Sequence, residues 1–137
     1  MQINAVYRIL DANLNRLREA LRVIEEFFRF IKEEEKACIE LKGMRHSLVE
    51  MEKALGPAKL IGNRDTANDC FAGTNRPEEM NRSTRSDILA ANFKRAQEAS
   101  RVIEEYSKIS DAPEVSEKAK AVRFALYSLE KSFQTVE

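Results

Sequence analysis

The apolar residues of the first 31 positions recur at alternating steps of four and three. They are Leu10, Leu14, Leu17, Leu21, Ile24, Phe28 and Ile31. This period predicts a long amphipathic helix from about Asn4 to Ile31. A second apolar seam, out of phase with the first, comprises Leu41, Met44, Leu48, Met51 and Leu55. It predicts a second helix that ends at Gly56 and Pro57, because glycine often terminates a helix and proline cannot continue it.

The second half of the chain predicts two more helices. The third begins between Ser83 and Ser86, where Thr84 and Asp87 have the spacing of a capping box. Its apolar positions are Leu89, Phe93, Ala96, Ala99, Ile103 and Tyr106. Asp111, Pro113 and Glu114 are typical of a helix start and predict the fourth helix. Its apolar positions are Val115, Ala119, Val122, Leu126, Leu129 and Phe133.

The two halves are copies of each other. Residues 8–31 and 87–110 are identical at 12 of 24 aligned positions. Further on, Lys42, Arg45, Leu48 and Glu52 align with Lys120, Arg123, Leu126 and Glu130. The offset changes from 79 to 78, which predicts that the first two helices separate between Ile31 and Lys42. We therefore predict an all-α single domain over 1–137, with repeated helical hairpins at 4–56 and 84–136 packed as a four-helix domain.

A long loop over 57–83 is predicted between the repeats, because this stretch has no sustained period. A connection of this length usually has a function, and a short helical turn is predicted within it at Asn75. The loop contains Arg64, Asp65 and Asp69, followed by Gly73. Carboxylates beside arginine and glycine suit a magnesium-bound polyphosphate, but they are also ordinary loop residues. Both interpretations remain open.

Both repeats contain the pattern N-x-x-R-x-x-E-x-x-R-V-I-E-E. The first copy provides Asn13, Arg16, Glu19, Arg22, Glu25 and Glu26, and the second provides Asn92, Arg95, Glu98, Arg101, Glu104 and Glu105. Charges of mixed sign at this spacing are typical of a solvated helix face. Retention of arginine itself, where lysine would serve an exposed surface equally well, favours a specified geometry instead. A duplicated domain is then expected to bring both sets toward one central cleft.

Composition excludes several classes of protein. The 23 basic and 23 acidic residues cancel, so we expect no nucleic-acid or membrane partner. The first residues do not resemble a signal peptide and no apolar run is long enough to span a bilayer, which predicts a cytoplasmic protein. A single histidine and two scattered cysteines give no support to a zinc site or a Ser-His-Asp triad. The P-loop pattern G-x-x-x-x-G-K followed by Ser or Thr does not occur.

Four motifs, in order along the chain, resemble a known family. They are R-I-L-D-A-N-L-N-R-x-R-E-A-L-R-V-I-E-E, then K-x-x-R-H, then R-D-T-x-x-D, then A-N-F-K-R-A-Q-E-A-S-R-V-I-E-E-Y-S-K. The chain is similar in these motifs, from about Arg8 to Phe133, to the type II hydroxymethylpyrimidine-phosphate kinases of thiamine biosynthesis. That module also occurs fused ahead of thiamine-phosphate synthase. Where the family has a compact Asp-x-Gly-Thr, this chain has the longer segment Asp69–Thr74.

The resemblance implies an ATP-dependent kinase that converts hydroxymethylpyrimidine phosphate to its diphosphate with Mg²⁺. It also implies that the product passes to thiamine-phosphate synthase. An exposed helical seam would allow two chains to pair as a homodimer. Because the acceptor is a phosphate whose second pKa is about 6, it is already largely ionised and needs no catalytic base. The site must instead neutralise two polyanions and align them.

Arginines and magnesium ligands are the residues that this task requires. We expect catalytic roles for Arg16, Arg95, Arg101 and Asp65. We expect substrate or ATP contacts from Asn13, Glu19, Arg22, Arg45, Arg64, Asn92, Glu98 and Arg123. Asp65 and Asp69 are the expected magnesium ligands. Two alternatives of other classes remain: a non-catalytic helical interaction module, and a magnesium-dependent helical nucleotide pyrophosphatase.

Overall fold

The structure is a computed structural model that describes residues 3–73 and 82–136. Its elements are α1 (Ile3–Glu26), a π-helical turn (Phe27–Ile31), α2 (Glu35–Leu55), α3 (Pro57–Gly62), α4 (Arg85–Tyr106), a 3₁₀ turn (Ser107–Ile109) and α5 (Val115–Val136). All secondary structure in these two ranges is helical, which confirms the all-α prediction. The helical turn predicted at Asn75 lies outside the described residues.

The four long helices form a bundle in which α1 packs most extensively on α4. Each of these helices also packs on its hairpin partner, and α2 packs on α5. The α1 and α4 helices are antiparallel, since the Tyr7 hydroxyl near the start of α1 donates to Asp111 Oδ2 beyond the end of α4, at 3.2 Å. At the opposite end, Phe27 and Phe28 contact Phe133 of α5 edge to face. The two hairpins are therefore related by an approximate two-fold axis.

The predicted apolar seams form the core. In α1 and the π-helical turn that follows it, six of the seven seam residues are at most 1% exposed, from Leu10 to Phe28, whereas Ile31 is 45% exposed. The π-helical turn brings the adjacent Phe27 and Phe28 both into the core, where Phe133 covers them. Each fully buried leucine or phenylalanine side chain stabilises the fold by about 1.5–3 kcal/mol.

Backbone conformations with positive φ end the helices of the first repeat. The break between α1 and α2 falls within the predicted interval, and there Glu33 has a φ of 53°. This left-handed conformation interrupts the helix without glycine or proline, so no local sequence signal marks the break. Gly56 has a φ of 97° and ends α2 as predicted. In the second repeat, Thr84 and Asp87 form the predicted capping box at the start of α4.

The predicted loop over 57–83 begins with a helix that the sequence did not indicate. Pro57 starts α3, where its fixed φ suits a first helical turn and its missing N–H is not needed. Leu60 anchors this helix in the core at 3% exposure. Six residues are too few to show an apolar period, which is why α3 was missed. Within the described ranges, no helix is both long and apolar enough to cross a bilayer.

Candidate functional site

Each repeat uses the same glutamate and the same arginine to hold its hairpin together. In the first repeat, Arg45 Nε lies 2.7 Å from Glu25 Oε1, and Arg45 Nη2 donates to Glu25 Oε2 at 3.2 Å. In the second, Arg123 Nε donates to Glu104 Oε1 at 3.0 Å. Both glutamates are buried. The ion pairs join α1 to α2 and α4 to α5, so they give these four residues a structural reason to be repeated.

A second repeated contact lies farther along each hairpin. Arg18 of α1 forms an ion pair with Glu52 of α2. At the equivalent positions, Gln97 Nε2 of α4 donates to Glu130 Oε1 of α5 at 2.8 Å. The hairpins therefore share two polar cross-links at matching positions. In the structure, Arg45 and Arg123 each have an internal carboxylate partner. That they also bind phosphate stays a prediction.

The repeated asparagines bond to their own helices. Asn13 Nδ2 donates to the Ile9 carbonyl at 2.9 Å, and Asn92 Nδ2 donates to the Ile88 carbonyl at 2.8 Å. The amide oxygen of Asn13 accepts from Arg16 Nη1 at 3.3 Å. Asn13 is buried, whereas Asn92 is half-buried. The buried amide can thus orient the guanidinium group that follows it by one turn.

Four repeated residues have no ion-pair partner within residues 3–73 and 82–136. They are Arg16 and Glu19 in the first repeat, and Arg95 and Glu98 in the second, and all four are exposed. Arg22 pairs with Glu26 at 4.0 Å, and Arg101 pairs with Glu105 at 3.2 Å and with the buried Glu104 at 3.4 Å. The exposed pairs with Glu26 and Glu105 are worth about 0–1 kcal/mol, so a stronger anion can displace those two carboxylates. These six residues therefore remain available to a ligand.

Arg16 and Arg95 lie on the same outer face of the bundle. Arg18 points toward α2 and Gln97 points toward α5, as their contacts with Glu52 and Glu130 require. A residue two positions earlier lies about 200° around the helix, so Arg16 points away from α2 and Arg95 away from α5. Because α1 and α4 are neighbours, both guanidinium groups are on the surface that these two helices form.

The expected central cleft between the repeats is wrong for the described part of the chain. The space between the halves is filled by apolar side chains of all four long helices. The exposed repeated charges instead lie on the outer surface around this core, because burying unpaired charges would cost far more than solvating them. Arg16 and Arg95 nonetheless remain on one side of the molecule.

One surface groove contains two of the predicted site residues. Glu98 and Arg101 line a groove of about 460 Å³ together with Lys94, Gln97, Val102 and Tyr127. Val102 is seven residues after Arg95 and therefore shares its face of α4. The groove thus borders the outer surface on which Arg95 lies.

The loop after α3 is fixed to α1 by two arginines. Arg64 Nε and Nη2 donate to the two carboxylate oxygens of Asp11 at 2.7 Å and 2.8 Å, a bidentate pair. Arg8 Nη2 donates to the Asp65 backbone carbonyl at 2.8 Å. Arg64, predicted to bind phosphate, therefore has an internal partner. Asp11 was missed because its repeat counterpart is Ala90, so the repeat pattern gave no signal there.

The two predicted magnesium ligands lie in this loop as turn-forming carboxylates. Asp65 accepts from the side-chain and backbone amides of Asn68, at 2.6 Å and 3.2 Å. The hydrogen bond from the Asn68 side chain lowers the pKa of Asp65, so this carboxylate is ionised at neutral pH. Asp69 Oδ1 accepts from the Phe71 amide at 3.0 Å.

These carboxylates fit a magnesium ion that arrives with a polyphosphate. Each of the two groups retains oxygen lone pairs beyond its hydrogen bonds, and hard oxygen ligands are those that Mg²⁺ prefers. Within the described ranges, no three His, Cys, Asp or Glu residues converge as a metal cluster. Magnesium at phosphoryl-transfer sites usually uses one or two carboxylates together with substrate phosphates and water. The loop therefore suits a shared ion, not an all-protein site.

The comparisons with known proteins match nearly the whole chain. Residues 8–132 match the model of the ThiD2 family. A thiamine-phosphate synthase of Thermosynechococcus vestitus is 46% identical over 125 residues, which are 91% of this chain and 34% of that protein. A thiamine-phosphate synthase of Nostoc punctiforme is 40% identical over 127 residues, which are 93% of this chain and 35% of that protein.

The chain spans about a third of the length of these relatives. No solved protein structure matches it significantly. With 8–132 covered by the family model, the chain belongs to the ThiD2 family.

Proposed function

We propose that this chain transfers a phosphoryl group from ATP to hydroxymethylpyrimidine phosphate, giving the diphosphate used in thiamine biosynthesis. The observation that carries the proposal is the pair Arg16 and Arg95. Both are repeated, exposed and without an ion-pair partner in the described residues. The helical period assigns both positions to the outer surface of α1 and α4. Two unneutralised guanidinium groups on one surface are suited to holding two anionic substrates.

The reaction needs little more than charge and alignment. The acceptor phosphate is largely ionised at neutral pH, so its oxygen can attack without a protein base. Arg16 and Arg95 would bind the donor and acceptor phosphates and reduce their mutual repulsion. Arg101 would exchange its exposed contact with Glu105 for a phosphate oxygen and keep its contact with Glu104. Asp65 would hold the magnesium ion, which supplies further neutralisation of the donor.

Glu19 and Glu98 follow the two arginines at a spacing of three residues. Because neither carboxylate has an ion-pair partner in the described residues, each can accept from an amino group of a substrate. The buried Asn13 amide helps to orient Arg16. Arginines that stabilise charge during phosphoryl transfer contribute about 10³-fold or more in rate. We therefore expect Arg16→Ala and Arg95→Ala each to lower kcat/KM by at least about 100-fold.

The test is a coupled assay for ADP formed from magnesium-ATP with and without hydroxymethylpyrimidine phosphate. Lys53→Ala is the matched control, since Lys53 is an exposed cation of α2 with no ion-pair partner in the described residues and no role in the proposed site. It should retain kcat/KM within about twofold, and all variants should keep the helical circular dichroism of the parent. Unchanged turnover in both arginine variants would remove these residues from the site.

Two results would replace the proposal with another function. AMP and pyrophosphate formed without the pyrimidine phosphate would indicate a nucleotide pyrophosphatase. An interaction module would show no ADP and no change in melting temperature with magnesium-ATP, because a ligand at 100 times its Kd stabilises a protein by about 2.7 kcal/mol.

A further inference from the structure

The second repeat has an exposed pair of aromatic side chains that the first repeat lacks. With the offset of 78, Tyr127 and Phe124 of α5 correspond to Val49 and His46 of α2. All four positions are exposed, and Tyr127 is 42% and Phe124 52% exposed. An exposed aromatic pair is not needed for packing, since the first repeat keeps the same helix without it.

The Tyr127 ring lies beside the guanidinium group of Arg123. The guanidinium carbon of Arg123 lies 5.9 Å from the centre of the Tyr127 ring and 4.9 Å from that of Phe124. The two rings are 6.0 Å apart and meet edge to face. Arg123 is itself anchored by Glu104. An exposed ring with this support is preorganised, so a ligand that stacks on it loses little of its affinity to ordering the side chain.

The groove beside Tyr127 combines an aromatic wall with charges of both signs. Val102 provides a second apolar surface, and Lys94 and Glu98 line the groove without an ion-pair partner in the described residues. Arg101 adds a second cation, which contacts exposed Glu105 at 3.2 Å and buried Glu104 at 3.4 Å. A flat ring, a phosphate and an amino group each find a suitable contact here: the tyrosine face, a cation and a carboxylate.

We propose that this groove binds an amino-substituted pyrimidine ring that carries phosphate. The ring stacks on Tyr127, the phosphate contacts Lys94 and Arg101, and the amino group donates to Glu98. The inference rests on the proposed function and assigns the ring-binding role to the second repeat alone. Adenine and the pyrimidine of the acceptor share this chemistry, so the experiment must separate them.

Binding is measured by titration calorimetry with three probes: magnesium-ATP, hydroxymethylpyrimidine phosphate and tripolyphosphate, which has no ring. Tyr127→Val introduces the residue that the first repeat has at this position, and Tyr127→Phe keeps the ring. Val49→Ala is the matched control in the other repeat. Stacking on an aromatic side chain is worth about 1–3 kcal/mol per base, which corresponds to about 5- to 150-fold in Kd.

We expect Tyr127→Val to raise the Kd of one ring-bearing probe by about tenfold or more, with tripolyphosphate changed less than twofold. A loss of affinity for ATP alone identifies adenine as the stacked ring. A loss of affinity for the pyrimidine phosphate alone identifies the ring of the acceptor. Tyr127→Phe and Val49→Ala should bind as the parent does. Equal loss for all three probes, no loss for any, or a changed oligomeric state in size-exclusion chromatography would overturn the inference.

Because binding is measured without turnover, the two proposals can fail separately. A Tyr127-dependent ring site in a chain that forms no ADP would leave this inference standing and reject the kinase. If the parent protein forms ADP but Tyr127→Val binds every probe normally, the kinase proposal stands and this inference is rejected.

Discussion

Glu104 and Arg123 allow a direct test of whether the repeated polar residues maintain the fold. The Glu104 side chain is 8% exposed and that of Arg123 is 13% exposed, with oxygen and nitrogen atoms 2.9–3.0 Å apart. Removing one partner of a buried pair typically costs about 3–5 kcal/mol, because the other charge remains buried and unpaired. Arg123 keeps its contacts with Phe124 and Tyr127, so we expect the lower end of that range. Glu104→Gln should therefore destabilise the protein by about 3 kcal/mol.

Urea denaturation followed by circular dichroism measures this loss, with the slope m unchanged. Glu26→Gln is the matched control, since Glu26 pairs with Arg22 at 4.0 Å and both side chains are about half exposed. That exposed pair should contribute less than about 1 kcal/mol. Arg123→Met and the double variant complete a double-mutant cycle, for which we expect a coupling energy of about 1–3 kcal/mol.

The first hairpin gives a graded comparison. Arg45 is 29% exposed, more than twice as much as Arg123, and its Nε contact with Glu25 is not an aligned hydrogen bond. Glu25→Gln should accordingly cost less than Glu104→Gln. If Glu104→Gln lowers the free energy of unfolding no more than the exposed control does, or the cycle shows no coupling, the ion pair does not explain why Glu104 and Arg123 are repeated. Ligand binding would then be the better explanation for Arg45 and Arg123.

Three further predictions follow from single contacts. Lys59 donates to Asp111 at 2.8 Å and lowers the pKa of Asp111. The bond therefore stabilises the fold fully at a pH above 3.8, the pKa of Asp111 in the unfolded chain. This stabilisation is lost as the pH falls through the lower pKa of the folded protein. Lys59→Met should thus lower the Tm at pH 7 and leave it unchanged near pH 2; an equal effect at both would contradict this. Thr84→Ala removes the α4 cap and should cost about 1 kcal/mol in urea unfolding. Burial raises the pKa of the Cys38 thiol, so iodoacetamide at pH 8 should modify exposed Cys70 first, as measured by peptide mass spectrometry.

The long helices could be predicted because their apolar residues repeat over several turns. Leu10 to Phe28 in α1 and Leu89 to Ile103 in α4 are buried as the period requires. The start of α4 and the end of α2 were predictable from local chemistry, a capping box and a glycine followed by proline. The turn at Glu33 was located only through the changed offset between the repeats.

The partners of the polar residues could not be predicted, since they depend on how helices face each other. Arg64 and Asp11 are 53 positions apart, and no period or motif relates them. Arg18 with Glu52, and Gln97 with Glu130, meet only when α1 lies beside α2 and α4 beside α5. A pattern of charges along one helix shows which residues share a face, but not which of them meet another helix.

The duplication separates these two groups once the structure is known. A residue that both copies retain and that makes the same internal contact in both, such as Glu25 and Glu104, is explained by the hairpin that it stabilises. Arg16 and Arg95 are retained without an equivalent ion pair, and exposed arginines gain little stability from the identity of their cation. The proposed anion site would explain their repetition, because bidentate binding of an anion distinguishes arginine from lysine.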